Sequence, residues 1–153
     1  MTQINFSLPH EYVLRKAKPF DIWLILLFMV KARLDATQLK LKQFWIIEYD
    51  GRLVAFGQLR NFSFAQELGS LYVVPDCRNQ GLGTFLAEHL STQATQPLYL
   101  KCVKKELINF YTKRCFVNVN YEDLPPSLKS KFFLSQVRKR LLKGFVMFMK
   151  YEP

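Results

Sequence analysis

The run Val73-Val-Pro-Asp-Cys-Arg-Asn-Gln-Gly-Leu-Gly-Thr84 constrains this chain more than any other stretch. Before it, Glu67–Val74 is rich in β-formers and is stopped by Pro75, which cannot donate to a sheet ladder. After it, Leu82, Phe85, Leu86 and Leu90 recur at helical spacing until Pro97. A strand therefore enters a short loop and leaves as a helix, and that unit demands a sheet with helices packed on it. Inside the loop, Arg78, Gly81 and Gly83 form an R-x-x-G-x-G arrangement. Glycines let the backbone approach an anion closely, and the first N–H groups of a helix point at it. With the arginine as a cation, the arrangement fits a pyrophosphate. Two other phosphate loops are excluded. A Walker loop needs a lysine after its last glycine, and Thr84 stands there; a Rossmann loop needs a small residue at position 86, which is Leu86. The plainer alternative, a tight turn into a helix, accounts for the glycines but not for Arg78 or the V-x-P strand end.

The rest of the chain supplies the sheet. Tyr12–Lys16 alternates as a first strand, and Pro19 and Asp21 open a helix through the apolar run Ile22–Val30, ending near Leu34. That run of nine is far short of the ~20 residues that span a bilayer, and it reads as a buried helix. Asp35 is placed as the N-cap of a second short helix to Lys42. Phe44–Tyr49 and Leu53–Leu59 flank Asp50-Gly51, a strong hairpin signal. Leu98–Val103 is a strand, Lys105–Arg114 a helix, and Phe116–Val119 a strand. Ser127 is read as an N-cap for a basic amphipathic helix over about 127–143. Its core stripe is expected to be Leu128, Phe132, Leu134, Val137 and Leu141, with Gly144 as the C′ residue. Phe145–Tyr151 closes the sheet. No linker or repeat divides residues 1–153, so the expectation is a single α/β (α+β) domain. Its mixed, mostly antiparallel sheet would have six to seven strands flanked by helices.

Half of the 153 residues are apolar and 15% aromatic, which excludes a disordered chain. The formal charge of +10 favours a polyanionic partner. Cys77, Cys102 and Cys115 are far apart and make no metal-ligand pattern with His10 or His89, so no metal is expected. Free thiols, and an N-terminal stretch without the apolar core of a signal peptide, lead to an expected cytoplasmic location. His89 is read as a surface residue.

The segment Val73–Gly83 resembles the acetyl-CoA signature of the GNAT N-acetyltransferase family. A second stretch, Ile108-Asn-Phe-Tyr-Thr-Lys-Arg-Cys-Phe116, is similar to that family's A-x-x-L-Y-x-K-x-G-F segment, with Tyr111, Lys113 and Phe116 in place. Leu107, Lys104 and Cys115 depart from its small residue, asparagine and glycine. The resemblance covers roughly Tyr12 to Tyr151 and implies a sheet that splays between its fourth and fifth strands, with the pantetheine arm of acetyl-CoA in the cleft. It implies cofactor contacts from Tyr72, Val73, Val74, Arg78, Asn79, Gln80, Gly81, Leu82, Gly83 and Thr84. In the family's histone-modifying branch a glutamate eleven residues before the loop's first residue is the general base, and Glu67 stands eleven before Arg78. An exposed strand carboxylate is the open alternative for Glu67. Tyr111 is implied as the general acid toward the CoA thiolate.

The expected reaction is direct acetyl transfer to a primary amine in a ternary complex. Cys77 is rejected as a nucleophile, having no adjacent His. The acceptor stays open among small amines or amino acids, peptide N-termini and lysine side chains. Phe20, Trp23, Phe28, Phe62 and Phe64 are candidates for an acceptor pocket or a homodimer contact. The rival reading is a basic binding module of the same fold, docking nucleic acid or an acidic partner, with vestigial CoA binding. The intact loop and Tyr111 favour the enzyme.

Overall fold

Asp50 and Gly51 both take positive φ, 49° and 72°, the twist that joins antiparallel strands through two residues. They connect β2 (Phe44–Tyr49) to β3 (Arg52–Phe62) in a computed structural model that describes residues 8–153. The other elements are β1 (Tyr12–Lys16), α1 (Ile22–Lys31), β4 (Ala65–Val73), α2 (Leu82–Gln93), β5 (Leu98–Cys102), α3 (Ile108–Thr112), β6 (Phe116–Val119), α4 (Pro126–Leu141) and β7 (Met147–Tyr151). The seven strands form one mixed sheet in the order β1-β2-β3-β4-β5-β7-β6. β4 and β5 are parallel, whereas β1–β2, β2–β3, β5–β7 and β6–β7 are antiparallel. The α/β class and the mostly antiparallel mixed sheet are as expected. The parallel ladder covers Gln66–Leu98 and Glu67–Tyr99, while β4 runs on to Val73.

By contacts the chain falls into two compact units, one up to Arg60 with Leu68–Gln93, the other Asn61–Glu67 with Ala94–Pro153. In the first, Ile25 and Met29 of α1 pack on Phe44, Ile46, Leu53 and Phe56. Leu82 and Leu86 of α2 pack on Ile47, Val54 and Ala55. Neighbouring strand residues point to opposite faces, so β2 and β3 are covered on both. That is why both read as near-continuous apolar runs. In the second unit the core is Ala65, Tyr99, Leu124, Leu128, Phe132, Val146 and Phe148. Among the described residues no helix is long and apolar enough to cross a membrane.

Several local expectations are corrected. Ile22–Val30 is a helix but not a buried one: Ile25 and Met29 face the core, while Trp23, Leu27 and Val30 are exposed. Residues 35–40 form no helix; the Asp35 carboxylate accepts the Thr37 N–H at 2.9 Å, an Asx turn, and only Leu41–Gln43 makes a 3-10 turn. The helix expected over 105–114 divides into a 3-10 turn, Lys105–Leu107, and α3. Ser127 is not an N-cap, because α4 starts at Pro126 and the Ser127 hydroxyl donates to the Ser63 carbonyl. Lys143, not Gly144, takes the left-handed conformation after α4, with φ 51°. Leu134 and Leu141 leave the expected core stripe and are exposed. His89 is half-buried and not fully at the surface: its ring packs edge-on to Trp45 at 4.5 Å and stacks on Phe85.

A buried arginine organises the middle of the first unit. Arg60 on β3 is 1% exposed. Its Nε donates to Gln58 Oε1 at 3.0 Å, and its Nη2 donates to the Asp35 carbonyl at 2.6 Å and to Ser70 Oγ at 2.9 Å. Gln58 in turn donates to the Gln38 carbonyl and to Gln43 Oε1. Ser70 sits inside β4 with φ 50°, a kink that its hydrogen bonds hold in place. Beside it, a Cβ on Gly69 would lie 2.6 Å from Arg60 Nη1. Since the guanidinium cannot move without breaking buried hydrogen bonds, Gly69→Ala is expected to destabilise the fold by about 1–3 kcal/mol. Equilibrium denaturant unfolding reads this directly. An unchanged midpoint would mean that the guanidinium is not fixed.

Candidate functional site

The Val73–Thr84 segment folds as a strand end, a 3-10 turn over Pro75–Cys77, a glycine loop and the start of α2. Pro75 fixes its own φ and removes a donor, ending the strand. Asn79 and Gly81 take positive φ, 62° and 86°, and so turn the chain sharply into the helix. The first helical hydrogen bond runs from Phe85 N–H to the Gly81 carbonyl at 3.0 Å. The N–H groups of Leu82 and Gly83 therefore lie ahead of the helical ladder. The Leu82 side chain is buried in the core under α2, so only its backbone faces outward chemistry. Arg78, Asn79 and Gln80 are exposed around this turn. Gln80 accepts a hydrogen bond from the Tyr12 hydroxyl at 3.0 Å, which ties the loop to β1.

Arg78 folds back over the loop. Its Nε donates to the Val73 carbonyl at 2.9 Å, and its guanidinium lies 5.6 Å from the Tyr72 ring centroid. The two Nη groups are the part of the fork that remains to meet an anion. Tyr72 is a packing residue as well, between Phe28 at 5.2 Å and Phe56 at 5.5 Å. The Val74 N–H is engaged by the Val54 carbonyl at 2.9 Å. Strand alternation then turns the Val73 N–H away from β3. The loop thus combines a cation, two glycines and helix-start donors at one place, and these residues fit a phosphorylated ligand.

Glu67 and Tyr111 both belong to the second unit, on β4 and α3. Glu67 is 3% exposed and opposite Tyr99 in the ladder, so it is a buried carboxylate and not an exposed strand residue. Its neighbour Gln66 fixes the approach to β5, accepting from the Thr95 and Gln96 N–H groups and donating to Asn61. Tyr111 is half-buried, edge-on to Phe110 at 5.1 Å and Phe116 at 5.9 Å. Burial, helped by nearby Cys102, pushes its hydroxyl up to about 12. Tyr111 therefore keeps its proton across the neutral range. Cys102 is buried, its thiol pushed up by desolvation and donating to the Lys104 carbonyl, which makes it a poor nucleophile. Cys115 occupies the position where the resembling pattern has glycine, and it takes φ 67°, the conformation that favours glycine.

Sequence reasoning missed the buried network of Asp35, Gln58, Arg60 and Ser70. Its signal was two polar residues, Gln58 and Arg60, on one face of an otherwise apolar strand. Burial lowers the His89 pKa, with Lys16 adding to the effect, and neither it nor exposed His10 belongs to the loop. No group of three or more metal-ligating side chains gathers among the described residues.

Comparison with known proteins agrees with this geometry. The chain is similar in fold to the Rv2747 protein of Mycobacterium tuberculosis, solved in complex with CoA. The two are 16% identical, with 92% of this chain and 99% of that one covered and a TM-score of 0.71. A GNAT-family acetyltransferase of Staphylococcus aureus is 17% identical over 92% of this chain and 98% of its own, with a TM-score of 0.68. N-acetylglutamate synthase of Neisseria gonorrhoeae, solved with coenzyme A and L-arginine, is 20% identical over 93% of this chain, with a TM-score of 0.69. This chain spans only 34% of that synthase's length. No curated protein matches at a significant level. The family model of the Acetyltransferase (GNAT) family matches residues 12–115, from β1 through α3 to the Cys115 turn, and the chain belongs to that family.

Proposed function

We propose that residues 1–153 act as one acetyl-CoA-dependent N-acetyltransferase domain, moving an acetyl group to a primary amine by direct attack in a ternary complex. The observation that carries this reading is the Arg78–Gly83 turn, with its positive-φ Gly81 and the helix-start N–H groups of Leu82 and Gly83. Bound there, acetyl-CoA would supply an activated thioester. Arg78 and the N–H groups of the turn would hold its pyrophosphate, with Asn79, Gln80 and Thr84 around it. Val73 N–H, directed away from β3, would polarise the thioester carbonyl. The three free cysteines suit a reducing compartment, so the proposed location is cytoplasmic.

The amine must be neutral to attack, and an alkyl ammonium with a pKa near ~10.4 must first lose a proton. Glu67 is the proposed base, directly or through water. The leaving thiol is a better acid than Tyr111. Full proton transfer from a hydroxyl at about 12 to a thiolate of pKa ~8.5 would be uphill by roughly 5 kcal/mol. Tyr111 is therefore proposed to donate a hydrogen bond to the departing sulfur, with the proton collected from the amine neutralising it afterwards.

The deciding experiment is thiol release from acetyl-CoA across a panel of small amines, amino acids, peptides and lysine-containing proteins. Gly83→Glu places a carboxylate where the pyrophosphate would lie and is expected to abolish acetyl-CoA binding in calorimetry while leaving the thermal midpoint unchanged. Binding as tight as the parent's would refute the loop assignment. Glu67→Gln is expected to lower turnover at neutral pH by about 10²–10⁴-fold with little effect on acetyl-CoA affinity. An unchanged rate and pH profile would leave Glu67 a structural carboxylate.

Tyr111→Phe is expected to lower kcat without loss of cofactor affinity. Because the folded hydroxyl titrates near 12, above its ordinary 10.0, the parent should show no alkaline loss of rate from Tyr111 up to about that ordinary value. The same shift lowers stability as pH rises from 10.0 toward about 12, where the unfolded state has lost a proton that the folded state still holds. A Phe variant with full kcat at every pH would refute the donor role.

A further inference from the structure

The helix α4 is apolar on two opposite faces. Leu128 and Phe132 are fully buried in the core of the second unit. At 3.6 residues per turn, Phe133, Leu134, Val137 and Leu141 lie on the face about 180° away. Phe133, Leu134 and Leu141 are 56%, 79% and 75% exposed. Such residues normally go inside, and a contiguous exposed row of them marks a contact surface.

What borders this row decides what it fits. Lys129 and Arg140 lie along one edge, and Lys131 and Arg138 along the other. Beyond the last turn, Leu142 and Lys143 are also exposed. The helix contains no acidic residue. Glu122 meets it through a 3.5 Å ion pair with Arg140 in which both side chains are about two-thirds exposed. Such a pair is weak and exchanges readily for another anion. Beside the row runs a groove in which Tyr121, Phe133 and Val137 alternate with the charged side chains of Glu122, Lys129 and Arg140.

We infer that the outward face of α4 is a docking surface for an anionic lipid bilayer, held peripherally and reversibly. An interfacial helix buries Leu and Phe at the acyl boundary while long cationic side chains along both edges reach the headgroups. This face has that pattern, on a chain whose net charge is +10. A nucleic acid would use the cations and gain nothing from Leu134 and Leu141. A second copy would set two rows of cations against each other with no acid on the helix to match them. The inference does not depend on the catalytic reading.

Co-sedimentation of the full chain with vesicles tests it. Vesicles of phosphatidylcholine with about one-third phosphatidylserine are expected to bind the chain at least about tenfold better than phosphatidylcholine alone. Salt at about 0.5 M should weaken that preference. The double variant Leu134→Gln/Leu141→Gln, at sites too exposed to disturb the core, should reduce binding about tenfold or more at an unchanged thermal midpoint. Arg138→Glu/Arg140→Glu should reduce it as well. The inference fails if the parent shows no anionic preference, or if the leucine variant binds vesicles as well as the parent. It also fails if the leucines instead hold a dimer in solution, or if an RNA oligonucleotide binds with the same dependence on them.

Discussion

A guanidinium taken out of water is costly unless every donor finds a partner, and Arg60 is buried at 1% exposure in the middle of the first unit. Partners reach it from separate stretches, among them Gln58 on its own strand, the Asp35 carbonyl in the segment after α1, and Ser70 on β4. Much of the local structure follows from satisfying it. Residues 35–40 are held out of a helix, position 69 has no room for a side chain, and β4 is kinked at Ser70. The kinked strand then runs through Tyr72 and Val73 into the Arg78 loop, so the buried ion sets the approach to the proposed cofactor site.

The loop shows how a short backbone motif becomes chemistry. Pro75 ends the strand, Asn79 and Gly81 reverse the chain with positive φ, and α2 begins with donors pointing outward. Arg78 is steadied by the Val73 carbonyl and the Tyr72 ring, which orders one long side chain before any ligand arrives. Less rotamer entropy is then left to lose on binding.

The strands and the loop were legible in the sequence because local signals and tertiary environment agree there. β1, β2 and β6 have the expected bounds, and the Asp50-Gly51 turn has the expected geometry. Misreadings fall where a distant partner overrides a local preference. Asp35 looks like a helix cap, but Arg60 captures its backbone carbonyl and its side chain closes an Asx turn. Ser127 looks like a cap, but Ser63 takes its hydroxyl. In α4 Leu128 and Phe132 form one row and Leu134, Val137 and Leu141 another, and the two-residue step from Phe132 to Leu134 turns about 200°, so reading them as one stripe overlooks that the rows lie on opposite faces. Glu67 could be placed on its strand, but its burial depends on the β5 neighbour, which no local pattern reveals.

The central claim is that the Arg78–Thr84 turn holds the pyrophosphate of acetyl-CoA. Amide hydrogen exchange, followed residue by residue with and without CoA, tests it most directly. The N–H groups of Gly81, Leu82 and Gly83 are expected to slow markedly on adding CoA, because they lie ahead of the first helical hydrogen bond at Phe85. Saturating CoA that leaves these amides exchanging at their original rate, while protecting another part of the chain, would contradict it.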